Sequence, residues 1–253
     1  MRHELGDKRG IAFSLTNLGW ALHKQGDYGQ ATALLEEALA LFQEVGVTQL
    51  FAFASAILAE VAHDQGDDGW AVVLIERSMA LFRELGDKQG ITIALSIFGA
   101  IAHAQGDNGR ALALLEECLA LQREIGGKWG MATAHNRLGM VTHVQGDDGR
   151  ALAFYAESLT LCRELEDKYS LAECFEGLAG VAVAQQQLER AARLLGAAAA
   201  LREAIGAPLS PRERVRYDRD ISTVRAGLGE ATFAAAWATG KAMPPEHVIT
   251  YGS

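Results

Sequence analysis

The ten residues Leu18-Gly19-Trp20-Ala21-Leu22-His23-Lys24-Gln25-Gly26-Asp27 return as 58–67, 98–107 and 138–147, and more loosely as 178–187. A forty-residue period is the mark of a stacked array. One such unit cannot bury its own apolar face, so neighbours must cover it and the core must run along the stack. A stack grows along one axis, so 253 residues fit one elongated domain rather than two globules.

Within the first unit, Ile11, Leu15, Leu18 and Leu22 follow i, i+4, i+7 and i+11, the stripe of one helix face. Ala31, Leu34, Leu35, Ala38, Leu41 and Val45 mark a second helix, so each unit is an antiparallel helix pair. At about 18 residues, each helix is roughly 27 Å long. Gly26 is suited to closing the first helix in the left-handed conformation, and Asp27 to capping the second, with Gln30 completing a capping box. The Asp returns at 67, 107 and 147, but the box does not. Gly86-Asp87-Lys88 makes the return turn, and Gly6-Asp7-Lys8 repeats it. Glu166 replaces the glycine stop in one copy, Gly127 the cap in another, and Val47-Thr48 leaves the capping to Thr48. Gly19, Gly99 and Gly139 share one mid-helix slot with Ala59 and Ala179. Glycine costs about 1 kcal/mol there, so its return predicts a close approach of the paired helix.

Composition removes several function classes. Lys and Arg total 23 against 32 Asp and Glu, a formal charge of −9 with no basic run, which repels phosphate backbones. No apolar run is long enough to cross a bilayer, and the first twenty residues lack the pattern of a secretory leader; a cytoplasmic protein without a membrane partner is expected. Cys118 and Cys174 fall in slots that other copies fill with Ala or Ser. With Cys162 they make an odd count without a C-x-x-C pair, which argues for a reducing compartment and against a disulfide frame or zinc site.

The order Leu18-Gly19, Gly26-Asp27-Tyr28, Ala31, Leu35 and Ala38 resembles the tetratricopeptide repeat, lengthened to forty residues and covering roughly residues 8–205. The aromatic usual after Gly-Asp is present only as Tyr28, giving way to Asp68, Asn108 and Asp148, and the customary proline is absent until Pro208. The resemblance implies an all-α, right-handed α-solenoid of antiparallel helix pairs. The expected division is an array over 1–205, with about five pairs and the stub of a preceding helix at 1–6, then a helical cap over 206–253. Tyr217, Ile221, Val224 and Leu228 form one stripe of a cap helix otherwise rich in Arg and Asp. Phe233 and Trp237 fit a short last helix beneath it, and the final dozen residues are read as loosely attached.

Residues Ala191–Ala197, Leu201–Pro208 and Phe233–Trp237 resemble the carboxyl end of bacterial regulators, including LuxR-type and related signal-transduction ATPases, whose repeat array follows a nucleotide-binding module. No G-x-x-x-x-G-K-[ST] is present; Gly126-Gly127-Lys128 runs into Trp129. Since Glu4–Lys8 align with Glu84–Lys88, the first helix lacks a neighbour. Its flank is expected to meet an upstream domain or another copy.

In tetratricopeptide stacks the first helices line the concave face. The positions that usually point inward match Phe13, Thr16, Trp20 and His23, then Phe53, Ala56, Glu60 and His63, then Ile93, Ser96, Ala100 and His103, then Thr133, Asn136, Met140 and His143. A peptide or extended segment suits such a groove. The Lys and Asn pair that some members use to clamp a terminal carboxylate is missing from these positions. The bland alternative is the solvated wall of a spacer.

The four histidines are read as polar residues at a helix end, against a pH-responsive groove and a metal site. Neighbouring repeats stack at about 10 Å, and one zinc ion needs its ligand nitrogens at about 2.0–2.1 Å, so a single metal cannot gather all four. His135 takes a slot filled elsewhere by Leu15, Leu95 and Phe175 and reads as a core histidine. Glu36-Glu37 and Glu116-Glu117 read as solvated faces. No nucleophile, base and orienting group emerge together, and no cofactor is implied. The expected function is a noncatalytic interaction scaffold, the partner-binding or sensor region of a bacterial regulator. The alternative is the regulatory half of a signal-transduction ATPase.

Overall fold

The computed structural model describes residues 2–243. Among them there are twelve helices and no strand: α1 Arg2–Lys24, α2 Tyr28–Val45, α3 Thr48–Gln65, α4 Asp68–Glu84, α5 Lys88–Ala104, α6 Asn108–Ile125, α7 Lys128–Val144, α8 Asp148–Glu164, α9 Lys168–Ala184, α10 Leu188–Ile205, α11 Pro211–Leu228 and α12 Glu230–Ala242. Each odd helix through α9 packs along the helix that follows it, which makes five pairs. Residues 244–253, which include most of those read as loosely attached, lie outside the described residues.

Contacts divide the chain into two compact units. One holds residues 1–125 with 208–212, and the other 126–207 with 213–253. In the first, α3 neighbours both α1 and α5, and α2 and α4 each pack on the next odd helix; in the second, α7 neighbours α9 and α12 lies along α10.

Helix boundaries follow the Gly-Asp chemistry. Gly26, Gly66, Gly106 and Gly146 all have positive φ. The aspartate after each accepts an amide proton three residues on: Gln30 N at 3.1 Å, Trp70 N at 3.0 Å, Arg110 N at 3.0 Å and Arg150 N at 3.1 Å. Asp87 and Asp167 cap the return turns in the same way. Glu166, in the stop position of one return turn, has φ 53°, a left-handed conformation that is strained with a side chain present.

Three expected turn features are corrected. The Gln30 side-chain amide donates to the Asp27 carboxylate rather than reaching the backbone, so the box is incomplete. Thr48 does not cap α3; Val47 stands at the cap with no side-chain hydrogen bond, and Gln49 instead donates to Asp87 Oδ2 at 2.9 Å. No stub ends at residue 6, because α1 runs unbroken through Gly6-Asp7. A continuous helix satisfies its own amides, and one interior glycine costs only about 1 kcal/mol against that gain.

The shared glycine slot is a point of close approach. A Cβ on Gly19 would stand 2.9 Å from Leu35 Cγ, on Gly99 2.7 Å from Leu115 Cγ, and on Gly139 2.8 Å from the Tyr155 ring. Cys118, Cys162 and Cys174 are free and buried; Cys174 donates to Ser158 Oγ at 3.1 Å, and Ser158 donates to Ala132 O at 2.8 Å. His135 is buried and its ring tilts against Phe154 with ring centroids 5.8 Å apart.

Candidate partner-binding face

The sixteen inward positions separate by depth. Thr16, Ala56, Ser96 and Asn136 are buried between helices, and so are His23 and His63. What a guest would meet in the first unit is Phe13 and Trp20, 47% and 44% exposed, with Phe53, Glu60, Ile93, Ala100 and His103 half-buried. In the second unit Thr133, Met140 and His143 are half-buried, and Met140 leans on the apolar core. Depth follows from helix geometry: positions three apart diverge by about 60° around a 3.6-residue turn, which turns Phe13 and Trp20 outward and Thr16 inward. Thr16 Oγ1 then donates to its own helix at Ala12 O, 2.8 Å away.

The histidine file is a fastening between consecutive helices. His63 Nδ1 meets Asp68 Oδ1, His103 Nδ1 meets Asn108 Oδ1, and His143 Nδ1 meets Asp148 Oδ1, each at 2.7 Å. Each partner stands five residues on, as first residue of the next helix. In the first copy that place belongs to Tyr28, whose ring tilts against His23 at 5.8 Å, and His23 Nε2 instead meets Asp64 Oδ2 of the following repeat at 2.7 Å. The departures from the usual aromatic at 68, 108 and 148 are thereby explained: they supply the acceptor. One ring nitrogen of each histidine is engaged, and no group of three or more metal-ligating side chains is present among the described residues.

His63 carries a further partner. Arg212 Nε donates to His63 O at 3.0 Å and its Nη2 to Asp68 Oδ2 at 2.8 Å, while Pro208 lies against Gly26. Burial lowers the His63 pKa below its ordinary 6.5. Asp68 pulls it back up, and the Arg212 charge pushes it down again.

The fifth pair holds polar groups that the repeat reading passed over. Its inward positions are Glu173, Glu176, Gly180 and Val183. Glu176 is buried and accepts two hydrogen bonds from Arg202, Nε at 2.6 Å and Nη2 at 2.9 Å. Arg202 is also buried, lies over the Tyr169 ring at 5.5 Å, and has Glu213 of α11 at 3.6 Å. Burial raises the Glu176 carboxyl above its ordinary range, and the guanidinium opposes that shift. Glu173 accepts from Asn136 at 3.3 Å. The signal was legible: slots filled by Thr, Ala, Ser, Asn and by Phe, Phe, Gln, Cys in the first four copies hold Glu and Arg in the fifth.

A family model for the tetratricopeptide repeat matches residues 1–44 and 130–204. Among solved structures, BtubC (BKLC) from P. vanneervenii is 17% identical, over 93% of this chain and 91% of that one, with a TM-score of 0.57. Pseudomonas aeruginosa PilF is 16% identical, over 92% and 99%, with a TM-score of 0.54. No curated protein matches the chain. Tetratricopeptide repeats are thus present, and the architecture is that of tetratricopeptide stacks, a fold that generally holds protein partners rather than catalysing reactions. No described helix is long and apolar enough to cross a membrane.

Proposed function

We propose that this chain is a noncatalytic protein-interaction scaffold, serving as the partner-binding region of a bacterial signalling or transcriptional regulator in the cytoplasm. The observation that carries the binding role is the pair Phe13 and Trp20. These two large aromatics stand nearly half exposed, two turns apart on one side of α1, and the equivalent places on α3 and α5 hold the half-buried Phe53 and Ile93. Aromatics that expose such area without closing a core are the usual anchors of a protein partner. The regulator role draws on Ala191–Ala197, Leu201–Pro208 and Phe233–Trp237, and the cytoplasm on three buried free thiols.

The experiment is quantitative capture from lysate by the intact chain and by Phe13→Ala and Trp20→Ala. Both side chains are exposed, so the variants should melt within about 0.5 kcal/mol of the parent. The scaffold reading expects one captured protein to be lost at least fivefold with both substitutions. Equal capture by all three proteins removes this face as the site.

A further inference from the structure

The inward side of α9 is already occupied. Tyr217, Ile221, Val224 and Leu228 of α11 fall at i, i+4, i+7 and i+11. Val224 is wholly buried in the core cluster of the second unit, and the other three pack against that cluster. The space that a Gly180 side chain would fill is bounded by His143 Nε2 at 3.5 Å and Asp220 Oδ2 at 3.7 Å, and Leu188 crowds Gly227. Asp220 is buried, with the Arg219 guanidinium at 3.2 Å. Arg216 lies close enough to Glu176 and Tyr155 to favour their anionic forms.

How α11 sits distinguishes it from a further repeat helix. α12 lies directly along α10, so closely that a Cβ on Gly240 would stand 2.0 Å from Arg193 O and one on Gly196 2.4 Å from Trp237 O. α11 makes no such close helix pairing; it reaches its neighbours through side-chain ends. It is bounded by Gly206 and Gly229, both with positive φ, and its outer side carries exposed Arg214, Val215 and Arg225.

We infer that the inward face of α9 is a seat for an amphipathic helix, filled in cis by α11, and that a partner helix of the same chemistry binds by exchanging with it. The occupant in place defines that chemistry: an aromatic and three aliphatics at i, i+4, i+7 and i+11, a basic residue just before the aromatic, and an acid at the Gly180 gap. This deepens the scaffold reading by naming the guest of the second unit. The helix-in-groove mode supplies the affinity through the apolar stripe and the register through the charges. A seat occupied in cis weakens apparent binding in trans by the fraction of time it is filled.

The test uses the full chain and a fluorescent peptide spanning residues 211–228, read by anisotropy. Ile221→Asp places a charge on the seated face of α11 and leaves the seat intact, and Tyr217→Ala does so without a charge; circular dichroism confirms that each keeps its helical content. Both variants are expected to bind the peptide at least tenfold more tightly than the parent. Adding Gly180→Leu fills the gap from the α9 side, where a Cβ has room, and should abolish that binding. Equal affinity for parent and both variants, no binding to any protein, or binding that survives Gly180→Leu overturns the inference. No foreign partner is needed, so failure here leaves the Phe13 and Trp20 face standing, and failure of capture there leaves this exchange standing.

Discussion

The first and fifth helix pairs are built on one forty-residue unit and use it in opposite ways. In α1 the inward file is Phe13, Thr16, Trp20 and His23, with two aromatics open and Phe42 of α2 closing the core. In α9 the same file is Glu173, Glu176, Gly180 and Val183, with Arg202 in the place of Phe42 and α11 seated over it. Both keep a small residue, Gly19 or Ala179, where the paired helices meet. The backbone period fixes helix spacing and pairing at that small-residue slot, while other slots diverge, including the one where Glu176 meets Arg202 across the paired helices. What a repeat presents is therefore decided by a few side chains, not by the fold.

The most severe way to break the comparison is at the core slot. Arg202→Ala leaves Glu176 buried beside an empty guanidinium site, and loss of one member of a buried pair costs about 3–5 kcal/mol. Chemical denaturation should report that loss. Grafting the first pair's residues, Glu176→Thr with Arg202→Phe, removes both charges and should recover stability to within about 1 kcal/mol of the parent, since apolar replacement of a buried ion pair is often neutral. A graft as unstable as Arg202→Ala would show that the two pairs are not built on interchangeable slots.

A gentler break falls on the histidines. His23 is buried and its Nε2 depends on Asp64 of the next repeat, whereas His143 is more open and bonds the first residue of its own pair's second helix. Asp64→Ala should cost about 1 kcal/mol through a buried nitrogen left without its acceptor, and Asp148→Ala clearly less, because water reaches His143. Equal losses in thermal melts would mean that burial does not separate the first copy from the others.

Much of this was readable beforehand, for identifiable reasons. Aspartate caps, glycine stops and apolar periodicity are local signals, and they placed the turns at Asp27, Asp67, Asp87, Asp107 and Asp147 and the close approach at Gly19, Gly99 and Gly139. The fate of Ile11 and Leu18 was legible from the comparison of copies, which leaves the first helix without a neighbour, and not from any local signal. Their stripe is the one that α3 buries through Phe51 and Leu58, 8% and 2% exposed, yet on α1 the two residues stand 44% and 51% exposed. No described helix takes on α1 the place that α2 takes on α3. Thr48 failed as a cap because Val47 took that place, one residue earlier than composition suggests. The stripe on α11 was recognised, but periodicity gives a helix's buried side without naming what it buries against, so its seat on α9 could not be read.

The finest distinction lies at His63 and is electrostatic. His63 repeats the device of His143, but it is more deeply buried and has Arg212 on the same carboxylate, and its folded pKa lies below the ordinary 6.5. A depressed histidine pKa means that the unfolded chain binds a proton which the folded chain refuses. The stability tied to His63 is therefore complete above pH 6.5 and is lost as pH falls from there toward the lowered folded value. His63→Gln should melt with a flatter pH dependence than the parent between pH 7.5 and 5. In an NMR titration of the imidazole, Arg212→Gln should move the His63 midpoint upward by removing the like charge, while burial keeps it below 6.5. A midpoint unmoved by Arg212→Gln would leave burial as the sole cause of the depression and would make Arg212 a clasp on Asp68 and the His63 carbonyl alone.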